Sequence, residues 1–163
     1  MSVTLHLNYG DIKIELFCYE VTRSCENFLA LCASGQYDGT SFHRNIANFI
    51  IQGGDPTGTG KGGKSIWGGY FEDEIDPNLK FNRRGIVAYA NAGSNMNGSQ
   101  FFITYSKQSH LDKKNTIFGH VIDGFEVLDE LEKQETDSNN KPINPITINS
   151  VTIHSNPIAD KQL

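Results

Sequence analysis

Two stretches of the chain place polar and aromatic side chains beside short apolar runs. The first, residues 42–55, has the sequence FHRNIANFIIQGGD and carries a guanidinium (Arg44), an aromatic ring (Phe49) and a carboxamide (Gln52). The second, residues 91–104, has the sequence NAGSNMNGSQFFIT and runs from a Gly/Asn-rich segment into an apolar one. Neither stretch pairs a nucleophile with a base. These residue types therefore predict a site that holds its substrate by polarity and shape.

Strand geometry predicts which of these side chains share a face. Successive side chains along a β-strand point to opposite faces. If residues 49–52 form a strand, Ile50 and Gln52 share one face, while Phe49 and Ile51 share the other. The strand ends and the preceding turn must then decide which groups converge.

Length and charge restrict the class of protein. A chain of 163 residues is the size of one domain and buries about 70% of its unfolded surface, so we predict a single domain over residues 1–163. The net charge of −5 argues against direct binding of nucleic acid. No apolar run approaches the roughly 20 residues of a membrane span, and no secretory signal is visible.

The three cysteines are Cys18, Cys25 and Cys32. Cys25 and Cys32 lie on one stripe of a predicted helix, about 10 Å apart along its axis, which is too far for a disulfide. We interpret both as core residues. An odd number of cysteines without a secretory signal predicts reduced thiols and a cytoplasmic or nuclear location.

A β-hairpin and two helices are predicted from periodicity. Alternation predicts a hairpin with one buried face formed by Val3, Leu5, Leu7, Ile12, Ile14 and Leu16. Apolar residues at helical spacing predict one helix over 23–33, ended by Gly35, and a second over 124–133. The second helix is expected to begin with Asp123 and Glu126 as a capping box. Its expected buried face comprises Phe125, Leu128 and Leu131.

The remaining apolar segments are short. They lie at residues 49–52, 86–90, 101–104, 117–122 and 146–153, and the last has a break in alternation that predicts a bulge. No strand–helix–strand rhythm is present, so the pattern predicts an antiparallel sheet or barrel with two helices. Periodicity leaves open whether the sheet closes. The long irregular stretch over 55–84 is typical of a functional loop.

Residues 58–65, GTGKGGKS, match the phosphate-binding pattern G-x-x-x-x-G-K-[ST] letter for letter. That chemistry requires a helix starting at the Lys-Ser pair, and Gly68 and Gly69 would break such a helix in its first turn. We therefore reject nucleotide hydrolysis. The histidines and cysteines show no metal-ligand spacing, so no metal site is predicted.

Ordered motifs identify a family. The segments FHRNIANFIIQGGDPTGTGKGGKSIWG, FEDE, NRRGIVAYANAGSNMNGSQFFIT, HLD and FGHVIDG resemble the cyclophilins, the cyclosporin-binding peptidyl-prolyl isomerases, over residues 3–154. The resemblance implies a mainly β fold, a closed eight-stranded antiparallel barrel capped by two α-helices. It also implies isomerisation of Xaa-Pro bonds in protein substrates, assisting folding or remodelling, without a cofactor. The compact first third and the HLD motif are most similar to the peptidyl-prolyl isomerase-like 3 group, which implies spliceosomal proteins as partners.

The resemblance also assigns site residues. Arg44, Phe49 and Gln52 match the catalytic arginine, the proline-pocket aromatic and the glutamine that orients the arginine. The matching substrate-binding residues are Ile50, Ala90, Asn91, Gln100, Phe102, His110, Leu111 and Asn115. Residues 60–63 match a loop beside a secondary pocket. Phe101 and Phe102 alternate, so one of them is expected in the core, and the resemblance selects Phe102 for the groove.

Two departures from the family pattern qualify these expectations. His110 stands where the best-known members have Trp, which implies weakened cyclosporin binding. Asn115 stands where they have a His that packs on the substrate proline, and both a groove wall and a plain turn stay open for it. His43 is interpreted as a hydrogen-bonded structural residue and not as an acid or base.

Two functional hypotheses follow. The first is a monomeric prolyl isomerase that acts on Xaa-Pro peptides or proteins, with Arg44 donating a hydrogen bond to the prolyl nitrogen as the amide twists. The alternative is a catalytically weak module that docks a proline-containing segment of a larger assembly.

Overall fold

The structure is a computed structural model that describes residues 1–154, so the last nine residues of the predicted domain lie outside the described residues. Its eight strands are β1 (Ser2–Leu7), β2 (Gly10–Leu16), β3 (Arg44–Ile46), β4 (Ile50–Gly53), β5 (Ile86–Tyr89), β6 (Phe101–Thr104), β7 (Ile117–Asp123) and β8 (Ile148–His154). The helices are α1 (Thr22–Ala33) and α2 (Phe125–Glu132), with a short 3-10 helix at Ser109–Leu111. Neither α-helix in this part of the chain is long and apolar enough to cross a membrane.

The predicted hairpin is confirmed. β1 and β2 pair antiparallel with Val3 opposite Ile14 and Leu5 opposite Ile12, and these four side chains are fully buried. β8 pairs with the other side of β1, and the register shifts where Leu7 pairs with Ile148. That shift confirms the predicted bulge, because it leaves one extra residue on β8.

The sheet is an open half-barrel, so the prediction of a closed barrel was wrong. Its strand order is β3-β4-β6-β5-β7-β2-β1-β8, with every pairing antiparallel. The edge strands β3 and β8 form no ladder with each other within residues 1–154. The segment just before β3 instead meets the start of β8 and the residues before it. These contacts are the bridge between Ser41 and Thr147 and main-chain hydrogen bonds such as Phe42 N to Ile146 O and Ile148 N to Thr40 O, each 2.8 Å. The edge of β3 bonds to a different segment, since Asn45 N donates to Asn140 O at 2.8 Å.

Both helices form where they are predicted, but the start of α2 differs. Gly35, in the left-handed conformation with φ of 77°, follows α1. The cap of α2 is Gly124, and no side chain caps the helix, because the carboxylate of Asp123 accepts a hydrogen bond from the Gly124 N–H. The capping-box prediction was therefore wrong. Phe125, which was predicted to be buried, is 39% exposed. Val127 is buried in its stead, beside Leu128 and Leu131.

The central strands bury both faces in two different clusters. The main core contains Ile51, Val87, Phe101 and Ile103, and the Phe28 ring of α1 packs against Phe101 at 5.4 Å. Alternate residues of the same strands face the other way. Together with Phe81, which lies in the loop before β5, they form a smaller cluster that we call the second cluster: Ile50, Phe81, Ile86, Ala88, Phe102 and Ile117. Because both faces are apolar, alternation alone could not assign Phe101 and Phe102; the structure places Phe102 in the second cluster.

Candidate active site

The β3–β4 pairing brings Arg44 and Gln52 together. Arg44 is directly opposite Gln52 in the register of these strands, so the two side chains leave the sheet on the same face. The Arg44 Nη1 donates a hydrogen bond to Gln52 Oε1 at 3.3 Å. No carboxylate lies within ion-pairing distance of Arg44 in residues 1–154. The guanidinium is thus oriented by a neutral amide and keeps its other donors.

Hydrogen-bonded side-chain amides connect Gln52 to the glycine-rich loop at residues 58–65. Gln52 Nε2 donates to Gln100 Oε1 at 3.0 Å. Gln100 Nε2 in turn donates to the carbonyl oxygens of Gly60 and Gly62, at 3.0 and 2.9 Å. Each amide has both its oxygen and its nitrogen engaged, which fixes the direction of every hydrogen bond in the series. A continuous series of hydrogen bonds therefore connects Arg44 to this loop.

Asp55 organises that loop. Its buried carboxylate accepts hydrogen bonds from the backbone N–H groups of Thr57, Gly60 and Gly62 at 2.8 to 3.0 Å, and from the Thr57 hydroxyl at 2.8 Å. Burial alone would raise the pKa of Asp55, but these hydrogen bonds outweigh it and lower the pKa below its ordinary value. Asp55 is thus an anion at the centre of the loop.

Phe49 lies on the same side as Ile50, so the alternation expected for residues 49–52 was wrong. The strand begins only at Ile50, and Phe49 is the last residue of a turn in which Asn48 has a φ of 66°. Strand alternation does not apply across that turn, and Phe49 packs against the second cluster. Its ring lies 5.8 Å from the Arg44 Cζ and stacks on His110 at 5.9 Å.

The second cluster forms an apolar floor beside Arg44. Phe102 pairs with Gln52 across β4 and β6, and its ring stacks on Phe81 at 5.8 Å. Ile50 and Phe102 are each 3% exposed, while Ala90 and Leu111 pack against the cluster from its rim. A guanidinium next to an apolar floor is an arrangement that can receive a ring and donate a hydrogen bond to a polar atom in it.

The strip after β5 presents unpaired main chain. Ala90 N donates to Gln100 O at 3.1 Å, which continues the sheet by one residue. Asn91 makes no main-chain hydrogen bond within residues 1–154; its side chain donates to Lys114 O at 3.2 Å. The Asn115 amide donates to Tyr89 O at 3.0 Å. Both asparagine side chains thus tie this strip to the loop before β7 and leave the Asn91 N–H and C=O available to a ligand.

The profile of the family described as cyclophilin type peptidyl-prolyl cis-trans isomerase/CLD matches residues 2–153. The chain belongs to the cyclophilin family. It is therefore an enzyme of the peptidyl-prolyl cis-trans isomerase class, and the family binds proline-containing peptides.

Individual relatives support the same assignment over the whole chain. The chain is 65% identical to peptidyl-prolyl cis-trans isomerase CYP18-1 of Arabidopsis thaliana, covering 98% of this chain and 99% of the relative. It is 61% identical to human peptidyl-prolyl cis-trans isomerase-like 3, with the same coverage of both chains. The crystal structure of a cyclophilin from Cryptosporidium parvum, in the presence of the dipeptide Ala-Pro, superposes with a TM-score of 0.93 at 57% identity; the match covers 96% of this chain and 100% of that chain.

This cyclophilin has a cavity of about 290 Å³ next to the apolar floor. Four of the predicted site residues line it: Gln52, Ala90, Asn91 and Gln100. The other predicted residues do not: Arg44, Phe49, Ile50, Phe102, His110, Leu111 and Asn115. The site therefore has two parts, the apolar floor and this cavity, and Gln52 lies between them. The predicted loop residues 60–63 form one wall of the cavity.

Sequence reasoning missed several residues of the site. Tyr70 and Met96 line the cavity without any local signal. Asp55 could have been found, because an Asp followed by Thr and Gly is typical of a turn in which the carboxylate binds backbone N–H groups. Phe81 could not have been found from the sequence, because its contact with Phe102 forms only in the tertiary fold.

His43 differs from its predicted role. Its Nδ1 is buried and has no hydrogen-bond partner within residues 1–154. Burial lowers the pKa of His43, the charges of Arg44 and Lys141 act in the same direction, and Asp55 opposes them. The histidine is therefore favoured in its neutral form. The glycine-rich pattern at 58–65 also leads into no helix, since Ser65 N bonds to Gly69 O at 2.8 Å in a turn.

Proposed function

We propose that this cyclophilin isomerises Xaa-Pro bonds with Arg44 as the catalytic donor, Gln52 as the group that orients it and Phe49 as part of the proline pocket. The observation that carries the proposal is the Arg44 guanidinium, bonded to Gln52 at 3.3 Å beside an apolar floor. The Cryptosporidium relative was crystallised in the presence of Ala-Pro, which supports the same substrate class for this chain.

The chemistry follows from amide resonance. The barrier to rotation about a peptide bond is about 18–20 kcal/mol because rotation breaks conjugation between nitrogen and carbonyl. In the twisted state the prolyl nitrogen regains a lone pair and accepts a hydrogen bond. Arginine is always protonated and has several donors, so Arg44 stabilises the twisted state more than the planar one, which is the condition for catalysis.

The rest of the site holds the two halves of the substrate. Ile50, Phe102 and Leu111 receive the prolyl ring on the apolar floor, and His110 contacts the substrate at the rim. The unpaired main chain of Asn91, next to Ala90, forms hydrogen bonds with the peptide. Gln100 holds the Gln52 side chain by a hydrogen bond, and Asn115 holds the main chain at Tyr89 in the same way. One side of the bond is thereby anchored while the other turns. Positioning and a preorganised donor act together, and the step needs neither a covalent intermediate nor a cofactor.

We further propose the cellular setting implied by the resemblance. The enzyme acts as a monomeric single domain in the cytoplasm or nucleus, with spliceosomal proteins among its partners and no direct contact with nucleic acid or membrane. The human relative's name, peptidyl-prolyl cis-trans isomerase-like 3, supports the assignment to that group. The exposed imidazole of His110 offers less apolar surface than an indole, so we expect weakened cyclosporin binding.

The alternative is a proline-docking module with little turnover. Two observations favour it: His110 is exposed at the rim, and the Asn115 amide is already bonded to Tyr89 O. Under this alternative the floor and the Asn91 main chain hold a proline-containing segment, and Arg44 contributes little to affinity.

The test compares Arg44→Ala with the wild type by exchange NMR on a short Ala-Pro-containing peptide. Removing a preorganised donor that acts mainly in the transition state costs about 100- to 1000-fold in rate, so we expect kcat/KM to fall by that factor. The loss of stability should be no more than about 1.5 kcal/mol, since one hydrogen bond is removed. Arg23→Ala is the matched control, because Arg23 pairs with Glu72 and stacks on Trp67 away from the site.

Equal exchange rates for wild type and Arg44→Ala would refute the role of Arg44. No exchange in the wild type, with the peptide still bound, would establish the docking alternative for this peptide.

A further inference from the structure

The turn that carries Phe49 into the site contains a backbone conformation that few residues adopt. The turn joins β3 to β4, and its residue Asn48 has a φ of 66°. Residues other than glycine rarely adopt this left-handed conformation. The Phe49 N–H donates to Ile46 O at 3.0 Å, which closes the turn. The direction in which the chain enters Phe49 therefore depends on what holds Asn48 in place.

Both peptide units that flank the α-carbon of Asn48 are held from outside the turn. The Asn48 N–H belongs to the first unit and donates to Glu132 Oε2 at 2.7 Å. The Asn48 C=O belongs to the second unit, which also contains the Phe49 N–H. That carbonyl accepts from Ser106 Oγ at 2.7 Å and from Gln108 Nε2 at 2.9 Å. Since the orientations of the two units define φ and ψ of Asn48, these contacts fix its left-handed conformation.

Glu132, the last residue of α2, is itself held by an arginine. Its second carboxylate oxygen, Oε1, accepts from Arg84 Nη1 at 2.8 Å. Arg84 Nη1 also donates to Tyr105 O at 2.9 Å, and Tyr105 N donates to Phe49 O at 2.9 Å. The side chains of Glu132 and Arg84 are 21% and 26% exposed, so solvent and salt screen this ion pair less than a fully exposed one. One carboxylate thus connects the end of α2 to both Arg84 and the Asn48 turn.

The contacts of the Phe49 ring show what the turn positions. The ring lies 5.8 Å from Arg44 Cζ, stacks on His110 at 5.9 Å and packs against the second cluster. Each of these contacts depends on the direction in which the turn delivers the ring. A turn that leaves the left-handed conformation would move the ring relative to Arg44 and to the apolar floor.

We propose that Glu132 is a positioning residue for the isomerase site: it holds the Asn48 turn in its left-handed conformation and thereby sets the Phe49 ring against Arg44. This inference rests on the proposed role of Phe49 in the proline pocket. Glu132 acts through the main chain of the turn and takes no part in the rotation of the Xaa-Pro bond itself.

The expected kinetic signature is a rise in KM. The Phe49 ring contacts the prolyl ring in both the planar and the twisted state, so a displaced ring weakens the binding of both to a similar extent. A loss of that kind raises KM and leaves kcat nearly unchanged. A misplacement of about 1 Å costs on the order of 100-fold, and a ring that keeps part of its contacts costs less, so we expect KM to rise about fivefold to tenfold.

The experiment compares Glu132→Gln with Asp129→Asn in the full chain. Glutamine keeps one oxygen and sets an amide NH₂ group against either the Asn48 N–H or Arg84, so one of the two contacts is lost. Asp129 is the matched control, because it pairs with the same arginine, through Nη2 at 2.6 Å, and is 58% exposed. Within residues 1–154 its carboxylate has no hydrogen bond to the Asn48 turn.

Exchange NMR on a titrated Ala-Pro peptide separates KM from kcat for these variants. In Glu132→Gln, KM should rise as stated while kcat stays within about twofold of the wild type. In Asp129→Asn, both should stay within about twofold, because an exposed ion pair contributes little.

Two further readouts separate positioning from a general loss of stability. The ring protons of His110 report the Phe49 ring directly, because a stacked aromatic ring shifts their NMR resonances. These resonances should move in Glu132→Gln and stay in place in Asp129→Asn, with or without peptide. The second readout is a double-mutant cycle with Phe49→Ala. In that background Glu132→Gln should change KM by less than about twofold, since the group it positions is gone.

Unchanged His110 resonances in Glu132→Gln would overturn the proposal, because the Phe49 ring would then keep its place without the carboxylate. Equal effects of Glu132→Gln and Asp129→Asn on KM would overturn it too, since the loss of an ion pair to Arg84 would explain both. So would a full effect of Glu132→Gln in the Phe49→Ala background.

Two outcomes of the same experiment are distinguished by the His110 resonances. If the wild type does not catalyse exchange, the proposed function fails, and the resonances alone decide whether Glu132 positions the Phe49 ring. If Glu132→Gln does not fold, Glu132→Asp takes its place, because the shorter carboxylate keeps its charge but does not span Arg84 and the Asn48 N–H together. Resonances of His110 that stay in place in Glu132→Asp would then overturn the proposal.

Discussion

Replacement of Asp55 by Asn tests the series of hydrogen bonds that connects the glycine-rich loop to Arg44. The two carboxylate oxygens of Asp55 accept hydrogen bonds from different backbone N–H groups. Oδ1 accepts from Thr57 N at 2.9 Å, and Oδ2 accepts from Gly60 N and Gly62 N at 2.8 and 3.0 Å. An asparagine keeps one oxygen and turns the other position into an N–H donor. Either orientation therefore sets an N–H group against a backbone N–H group.

The magnitude follows from the number of acceptors lost. A hydrogen bond to a charged group contributes about 1.5–3 kcal/mol, and a buried group left unpaired costs about 1–3 kcal/mol. We expect Asp55→Asn to lower the free energy of unfolding by about 2–4 kcal/mol. Because Gln100 bonds the carbonyls of Gly60 and Gly62, movement of the loop should also displace Gln52, and kcat/KM should fall about tenfold.

Urea denaturation measures the stability change, and exchange NMR on the Ala-Pro peptide measures the activity. Asp137→Asn is the matched control. Its Oδ1 accepts from Asn139 N and Lys141 N at 2.8 and 3.0 Å in an exposed turn, so a single retained oxygen suffices and the change should be below about 0.5 kcal/mol.

The pH dependence of the same pair gives a second readout. The pKa of Asp55 is lower in the folded state, so its contribution is present above the ordinary value of 3.8 and is lost as the pH falls below that value. The difference between wild type and Asp55→Asn should therefore narrow in acid. The reasoning would be refuted if the two Asn variants had equal stability at neutral pH. If Asp55→Asn destabilised the protein without changing kcat/KM, the loop would be shown not to position Gln52.

Two further predictions concern groups near the core. The pKa of His43 is lowered by burial and by the charges of Arg44 and Lys141, so protonation of the imidazole opposes folding. The stability of the wild type should therefore fall relative to that of His43→Phe as the pH drops below 6.5. Thermal unfolding from about pH 7 to 5 measures this difference, and parallel stability curves for the two proteins would refute the prediction. Tyr89→Phe removes a hydroxyl that donates to Ser24 O at 2.6 Å and accepts from Asn27 Nδ2 at 3.1 Å. It should cost about 1–3 kcal/mol in urea denaturation, and a change under about 0.5 kcal/mol would mean that water replaces both contacts.

Local patterns were sufficient wherever one face of an element is buried. The β1–β2 hairpin, the helix at Thr22–Ala33 and the bulge in β8 follow from spacing alone, because alternation and helical periodicity record which side meets the core. The family followed from ordered motifs, and the comparisons confirm it. The roles given to Arg44 and the other site residues remain proposals.

Local patterns were insufficient where a turn or a buried second face intervenes. Phe49 changed sides because Asn48 adopts a left-handed conformation just before β4. Phe125 is partly exposed, and Gly124, not Asp123, is the cap of α2. Helical spacing alone identified neither the cap nor the partner surface.

The sequence by itself determined seven of the eight strands, both α-helices, the family and the residue types available for chemistry. Only the tertiary structure decided that the sheet remains open between β3 and β8, and that Asp55 and Gln100 link the loop to Arg44. These are contacts between residues distant in sequence or folded back through a turn, and their formation depends on how all the elements pack together. Short-range spacing carries the local preferences of the chain, whereas the register and curvature of the whole sheet set which distant side chains meet.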